Sequence, residues 1–131
     1  MPQGWDESNS PNVAVGLLLS VVVPVYNEKD GLREFYDRTK RVLLGMAGLE
    51  HEIIFVDDGS SDASADIIAQ FVRQDVRVRL LKLSRNFGHQ IAITAGIDAA
   101  RGDAVVVIDA DLQDPPEVIV RFIEKWQEGY D

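Results

Sequence analysis

Four short apolar segments, each ending in a polar turn, constrain the fold of this chain more than any other feature. They cover Leu17–Val25, Glu52–Val56, Val76–Leu83 and Ala104–Ile108. Nearly continuous apolar runs of this length are typical of strands buried on both faces of a parallel sheet. The third segment alternates apolar residues with Arg77 and Arg79, which predicts a less buried strand at a charged sheet edge.

Each of these strands is followed by a segment with helix signals. The predicted helices span Glu28–Leu44, Asp62–Val72, Gly88–Ala100 and Pro115–Gln127. Ser60 or Ser61 is expected to cap the second helix, and Gly102 to cap the end of the third. Four successive β-α units predict an α/β fold, with a mostly parallel sheet and helices on both faces.

The length and composition indicate one acidic domain. We expect residues 1–16 to form a flexible tail and residues 17–131 to fold. The net charge of −9 disfavours nucleic-acid binding, and the lack of cysteine excludes disulfides, thiol catalysis and cysteine-bound metals. The longest apolar stretch, residues 13–26, is shorter than the roughly 20 residues of a membrane-spanning helix.

The polar turns after the strands are the expected site. In open parallel sheets, ligands bind beyond the carboxyl ends of the strands, where the winding direction reverses. The turns to consider are residues 26–28, 57–61, 84–89 and 109–113.

The turn after the fourth strand carries two carboxylates. Asp109 and Asp111 are two residues apart in extended chain, so their side chains are predicted to point to the same side. A divalent cation such as Mg²⁺ or Mn²⁺ would relieve their repulsion, and Gln113 offers a further oxygen. An alternative stays open, because aspartates are common turn formers and residues 114–116 (Asp-Pro-Pro) resemble a helix start.

The turn after the second strand carries adjacent acids. One of Asp57 and Asp58 is predicted to face the cleft, where a carboxylate can accept a hydrogen bond from a base or a ribose, while the other braces the loop. A simple Asp-Gly turn before a capped helix is the alternative.

Arg85, at the third strand end, can reach a diphosphate or an acceptor. His89 is interpreted as a helix-terminus contact rather than an acid or base.

Neither of the two common phosphate-binding glycine motifs is present. The segment after the first strand lacks the G-x-G-x-x-G pattern of dinucleotide sites, and the chain has no G-x-x-x-x-G-K-[ST] loop. We therefore expect a metal ion, and not a glycine cradle, to meet the phosphates of any bound nucleotide.

Four motifs together resemble a known enzyme family. Residues 21–28 (VVVPVYNE), 56–62 (VDDGSSD), 83–88 (LSRNFG) and 108–116 (IDADLQDPP) are similar to the inverting family 2 glycosyltransferases. The resemblance spans roughly residues 18–130. The Asn-Phe-Gly-His and Asp-Leu-Gln-Asp-Pro-Pro segments most resemble the polyprenyl-phosphate glycosyltransferases, which include bactoprenol glucosyltransferases and dolichol-phosphate mannose synthases.

The resemblance implies a Rossmann-like GT-A fold and assigns site residues. Nucleotide-sugar contacts are expected from Pro24, Tyr26, Asn27, Glu28, Asp57, Asp58, Arg85, Asp109 and Ala110, with Asp57 on the base. Metal ligands are expected from Asp109, Asp111 and Gln113. The resemblance assigns no catalytic residue.

The resemblance also implies an activity. Such enzymes transfer a sugar from a nucleotide diphosphate-sugar to a polyprenyl phosphate, with inversion and a Mg²⁺ or Mn²⁺ ion, and here a UDP-sugar is favoured over GDP-mannose. The family's catalytic domain is longer than this chain, so we expect a truncated, soluble, donor-binding part that transfers nothing alone. The full-length protein is expected at the cytoplasmic face of the membrane. A homo-oligomeric state stays open.

Two alternatives remain open, namely a non-catalytic nucleotide-binding module and a glycosyltransferase with a saccharide acceptor. Two other classes fit less well. Aspartate-phosphorylating hydrolases place the Asp-x-Asp motif after the first strand and carry Thr or Val where this chain has Gln113. Receiver domains need an aspartate after the third strand, where this chain has residues 83–85 (Leu-Ser-Arg).

Overall fold

The computed structural model describes residues 16–128 as four strands that alternate with four helices. The elements are β1 (Leu17–Val25), α1 (Leu32–Leu44), β2 (Leu49–Asp57), α2 (Ser64–Gln74), β3 (Val78–Lys82), α3 (His89–Ala99), β4 (Ala104–Val107) and α4 (Val118–Gln127). The alternation confirms the α/β prediction. The predicted tail, residues 1–16, lies outside the described residues except for Gly16.

The sheet is parallel, with the strand order β3-β2-β1-β4. β1 pairs with β2 along nine residues, from Leu17 opposite Leu49 to Val25 opposite Asp57. On its other side, β1 pairs with β4. The winding direction therefore reverses between β1 and β4, and all four strands end at the same edge of the sheet.

Helices cover both faces of this sheet, as predicted. The larger core lies beneath α1, α2 and α4, and α3 covers a smaller core on the opposite face. Phe122 and Trp126 of α4 are partly buried against the larger core. These two aromatic residues therefore help to hold α4 on the sheet.

The first helix begins four residues later than predicted. The backbone N–H groups of Glu28 and Lys29 donate to the side chains of Ser64 and Asp62, across the loop before α2. Residues 28–31 therefore form a turn, closed by the hydrogen bond from the Gly31 N–H to the Glu28 carbonyl at 3.1 Å. These long-range bonds join the ends of β1 and β2.

The predicted caps of the second and third helices are wrong. The Ser60 Oγ accepts a hydrogen bond from the Asn27 N–H instead of capping α2. The helix α3 ends at Ala99, and the Gly102 N–H donates to the Ser20 Oγ at 2.8 Å. A Cβ at Gly102 would lie 2.6 Å from that oxygen, so the glycine permits a close loop contact.

Arg79 lies on the edge strand β3, as predicted, but its side chain is only 27% exposed. Its Nη1 lies 2.9 Å from the Glu52 Oε1 and 2.9 Å from the Ala99 carbonyl oxygen. The Glu52 carboxylate is buried and also accepts hydrogen bonds from the Ser20 Oγ and the Arg101 N–H. The buried charge of Glu52 requires such partners. The resulting network connects β1, β2 and β3 at the amino end of the sheet.

Gly96 sets how closely α3 approaches the sheet. A Cβ at this position would lie 2.4 Å from the Val22 Cγ1 and 3.1 Å from the Val56 Cγ2. We expect Gly96→Ala to lower the free energy of unfolding by about 1–3 kcal/mol, because overpacking shifts the surrounding side chains or the helix. Urea denaturation followed by circular dichroism measures the change.

Gly45 provides the matched control. A Cβ there would lie 3.4 Å from the Arg41 carbonyl oxygen, and the φ of −78° suits alanine. Gly45→Ala is therefore expected to change the free energy of unfolding by less than about 1 kcal/mol. Equal losses in the two variants would contradict the close packing at Gly96.

His51 makes stability depend on pH. Burial lowers the pKa of the His51 imidazole below 6.5, and the Arg77 guanidinium lowers it further. Below pH 6.5 the unfolded chain therefore binds a proton that the folded chain resists, so the free energy of unfolding decreases as the pH falls. For one group, the slope is at most about 1.4 kcal/mol per pH unit.

The variant His51→Gln is expected to lose this component. Urea denaturation of both proteins at pH 7.5 and pH 5.5 separates it from other titrating groups, since they are common to both. Parallel pH dependences of the two proteins would show that His51 protonates equally well in the folded chain.

Candidate functional site

A cleft of about 300 Å³ lies at the carboxyl edge of the sheet, where β1 and β4 diverge. It is bounded by the ends of β1 and β4, the loop after β2 and the start of α3. The lining residues are Pro24, Val25, Tyr26, Glu28, Asp58, Asn86, Gly88, His89, Asp109, Ala110 and Asp111. The cleft therefore lies at the topological switch point, where ligands bind in open α/β sheets.

The two aspartates after β4 both line the cleft. Asp109 follows the last paired residues of β4, and its side chain is 44% exposed. The Asp111 Oδ1 accepts a hydrogen bond from the Gln113 N–H at 3.0 Å. Leu112, which lies between Asp111 and Gln113, has a φ of 64°, which is rare for a bulky residue. Gln113 itself is not among the lining residues.

Glu28 adds a third carboxylate from the β1 side of the cleft. Burial raises the pKa of this carboxyl group above 4.5, and the neighbouring Asp111 and Asp109 raise it further. Asp109 and Asp111 therefore lie close enough to Glu28 for their negative charges to act on it. A bound cation would favour the ionised form of Glu28.

Asn27 lies next to the cleft but does not line it. Its backbone is in the left-handed region, with a φ of 54°. Its Oδ1 accepts hydrogen bonds from the backbone N–H groups of Ser61 and Asp62, at 2.8 and 3.3 Å. Asn27 therefore positions the loop after β2 against the end of β1.

The two acids after β2 occupy different environments. Asp58 lines the cleft, and its carboxylate accepts hydrogen bonds from the Phe87 N–H at 2.8 Å and the Gly88 N–H at 3.1 Å. Asp58 thus faces the cleft and also braces a loop. Asp57 is fully buried and does not line the cleft, and neither of its carboxylate oxygens has a hydrogen-bond partner within residues 16–128.

The loops after β2 and β3 are packed backbone to backbone. Gly59 has a φ of 75°, and a Cβ there would lie 2.4 Å from the Arg85 carbonyl carbon and from the Asn86 nitrogen. Arg85 is outside the cleft lining, and its guanidinium stacks over the Phe87 ring at 4.2 Å. The contact of Arg85 with a nucleotide-sugar therefore stays a prediction.

The sequence indicated that the turn of residues 84–89 belongs to the site, but of these residues it assigned only Arg85 to ligand binding. Asn86, Gly88 and His89 line the cleft. His89 begins α3, as predicted for a helix-terminus contact, and its Nε2 lies 2.9 Å from the Asp109 Oδ1 in the turn after β4. The useful signal was position, because His89 follows the end of β3 at the same sheet edge as Asp109.

The donor atoms of the cleft fit a hard divalent cation. Among residues 16–128, no three His, Cys, Asp or Glu side chains form a ready-made metal cluster. Mg²⁺ requires no such cluster, because proteins commonly hold it with one or two carboxylates, waters and substrate phosphates. Asp109 and Asp111 each use Oδ1 in one hydrogen bond, and a carboxylate has about four lone-pair sites.

The Rossmann-like parallel sheet with an acidic cleft at its switch point is shared with solved glycosyltransferases of the GT-A class. Residues 20–131 match the sequence profile of Glycosyl transferase family 2. The chain therefore belongs to the family 2 glycosyltransferases, which confirms the family resemblance of the four motifs.

Three relatives illustrate the match, and each aligns over 86% of this chain. An uncharacterized glycosyltransferase of Bacillus subtilis (strain 168), YkcC, is 55% identical over 112 residues. A bactoprenol glucosyl transferase of Shigella phage SfV is 49% identical over 113 residues. An undecaprenyl-phosphate 4-deoxy-4-formamido-L-arabinose transferase of Edwardsiella ictaluri is 48% identical over 114 residues. The chain spans 34–36% of the length of these relatives.

A solved structure with the same fold contains both a metal and a nucleotide. Glucosyl-3-phosphoglycerate synthase from Mycobacterium tuberculosis, crystallised with Mn²⁺, UDP and glucosyl-3-phosphoglycerate, is 26% identical and has a TM-score of 0.63. The alignment covers 81% of this chain and 38% of that chain.

In the part of our chain that the structure describes, no helix is both long and apolar enough to cross a membrane.

The Asp58 carboxylate is expected to hold the loop after β3. In Asp58→Asn, one carboxylate oxygen becomes an amide group that cannot accept the Phe87 or Gly88 N–H. We expect the free energy of unfolding to fall by about 1–3 kcal/mol and the amide hydrogens of Phe87 and Gly88 to exchange faster. Urea denaturation and hydrogen exchange by NMR measure the two effects.

Asp37 is exposed on α1 and provides the matched control. Asp37→Asn removes the same charge without freeing buried donors, so we expect less than about 0.5 kcal/mol of change. Unchanged exchange at Phe87 and Gly88 in Asp58→Asn would contradict the bracing role.

Proposed function

We propose that this chain binds a nucleotide diphosphate-sugar through a divalent cation, in the cleft between β1 and β4. The observation that carries the proposal is the pair Asp109 and Asp111, which line a switch-point cleft together with Glu28. None of the described residues that line the cleft is Lys or Arg. A diphosphate in such a cleft needs a cation to offset the repulsion between its own charge and the carboxylates.

Asp109 and Asp111 would hold the cation on the diphosphate, and Gln113 is a further predicted ligand from the same loop. When bound, the cation neutralises the charge that develops on the leaving diphosphate. Pro24 and Tyr26 line the β1 side, where a nucleoside fits, and the exposed Tyr26 ring offers a stacking surface.

Five further residues remain predicted donor-site residues, and the observations that bear on them differ. They are Asp57, Asp58, Asn27, Arg85 and Ala110. Ala110 and Asp58 line the cleft. Asn27 acts on the pocket through the loop that it braces. Asp57 remains the predicted base contact: its carboxylate has no hydrogen-bond partner within residues 16–128, and a base N–H would satisfy it once the site opens to this buried group.

For the longer protein, we propose transfer of one sugar to a polyprenyl phosphate with inversion. The relatives named bactoprenol glucosyl transferase and undecaprenyl-phosphate transferase support this acceptor. A phosphate acceptor is already anionic near neutral pH, so it requires positioning more than a strong base. Such a lipid acceptor favours action at the cytoplasmic face of a membrane, and a homo-oligomer remains a prediction. A UDP-sugar is the preferred donor in this proposal.

Isothermal titration calorimetry tests the donor site. We expect the 131-residue chain to bind UDP or GDP in the presence of Mn²⁺, with UDP favoured, and to lose most of that affinity when EDTA removes the metal. Asp111→Asn is expected to weaken metal-dependent binding at least tenfold, because it removes one of two anionic ligands.

Asp37→Asn again provides the control, since it changes the net charge equally on an exposed surface away from the cleft. Nucleotide binding that ignores both Mn²⁺ and Asp111→Asn would contradict the cation-mediated site. Sugar transfer to a polyprenyl phosphate by the chain alone would contradict the proposal that it only binds donor.

A further inference from the structure

One imidazole lies among the carboxylates of the cleft. Glu28, Asp58, Asp109 and Asp111 line it, and His89 is the only one of the described lining residues whose side chain can carry a positive charge. The His89 Nε2 and the Asp109 Oδ1 are 2.9 Å apart. An ionised carboxylate only accepts hydrogen bonds, so an ionised Asp109 would accept from the Nε2–H of His89.

The backbone that carries His89 is anchored to a different strand end. Gly88 turns the chain into α3 with a φ of 109°, and its N–H donates to the Asp58 Oδ2 at 3.1 Å. The preceding N–H, of Phe87, donates to the Asp58 Oδ1. His89 thus starts α3 from a point that is tied to the end of β2.

Asp109, in contrast, lies beyond the paired part of its strand. The pairing of β4 with β1 ends at Val107, and the last bond between them runs from the Ile108 N–H to the Val22 carbonyl. The Asp109 side chain is 44% exposed and shares the cleft with Asp111 and Glu28. Repulsion among these acids would disperse the Asp109 carboxylate over several rotamers unless a donor holds it.

We propose that His89 is a positioning residue for the cation site: it holds the Asp109 carboxylate by its Oδ1 and leaves the other oxygen to face the bound cation. This inference rests on the proposed function, because it assigns Asp109 to a cation. Ligating carboxylates are commonly oriented by a hydrogen bond from a neighbouring group, and loss of that neighbour weakens metal affinity. The connection Asp58–Gly88–His89–Asp109 would then fix the end of β4 relative to β2.

Calorimetry with UDP and with GDP, each with and without Mn²⁺, tests the effect on binding. In His89→Ala we expect the gain in affinity due to Mn²⁺, measured against metal-free binding by the same variant, to fall about tenfold or more. In His89→Gln the side-chain amide can still donate to Asp109, so part of the gain is expected to return. Gln90→Ala, at the exposed neighbouring position of α3, is the matched control and is expected to bind as the wild type does.

A second measurement needs no nucleotide. The ¹³C relaxation of the Asp109 carboxyl carbon, assigned by its loss in Asp109→Asn, reports how well this side chain is ordered in the free chain. We expect it to be ordered in the wild type and in Gln90→Ala, and to become mobile in His89→Ala. All variants are first shown to unfold cooperatively.

The two measurements separate the inference from the proposed function. If the wild type binds neither nucleotide with Mn²⁺, the proposed function fails, and the Asp109 relaxation still decides whether His89 positions that carboxylate. An equally ordered Asp109 in wild type and His89→Ala would overturn the inference. So would a binding-competent chain in which His89→Ala leaves the Mn²⁺ effect unchanged.

Discussion

The parallel pairing of β1 with both of its neighbours is the constraint on which the site depends. β1 is almost entirely buried and is paired along its whole length with β2 and in its middle with β4. Parallel pairing brings the strand ends to one edge, and the reversal of winding opens a gap between β1 and β4. Polar residues about 80 positions apart in sequence, such as Glu28 and Asp109, meet there as a result of the strand order alone.

The loops that follow the strands are held by side chains that bond to backbone groups across the gap between strands. The Asn27 side chain accepts from the loop after β2, and Asp58 accepts from the loop after β3. Gly59 allows the latter two loops to touch. Because each of these bonds ties a backbone N–H of one loop to a side chain at the end of another strand, the loops gain a defined shape.

The strands and the position of the site were predictable from the sequence, because apolar runs and polar strand ends are local patterns. β1 has the predicted bounds, and the predicted pair Asp109 and Asp111 both face the cleft. The helix starts were less predictable, because the N–H groups of residues 28 and 29 are taken by side chains more than 30 residues away. No local pattern contains such partners. The role of His89 was hidden for the same reason, since it depends on where α3 begins relative to β4.

The distribution of charge explains why the site is acidic although its expected ligand is an anion. A cleft lined with arginine or lysine would bind free phosphate-containing molecules of many kinds through charge alone. Here the described lining residues supply four carboxylates and one imidazole, so an anion is repelled unless a cation accompanies it. Binding then depends on the cation and the diphosphate together, since each completes the ligand set of the other. The geometry of that joint set rests on Asp109 and Asp111, and because Asp109 lies beyond the last paired residues of β4, its orientation depends on side-chain contacts such as the one with His89.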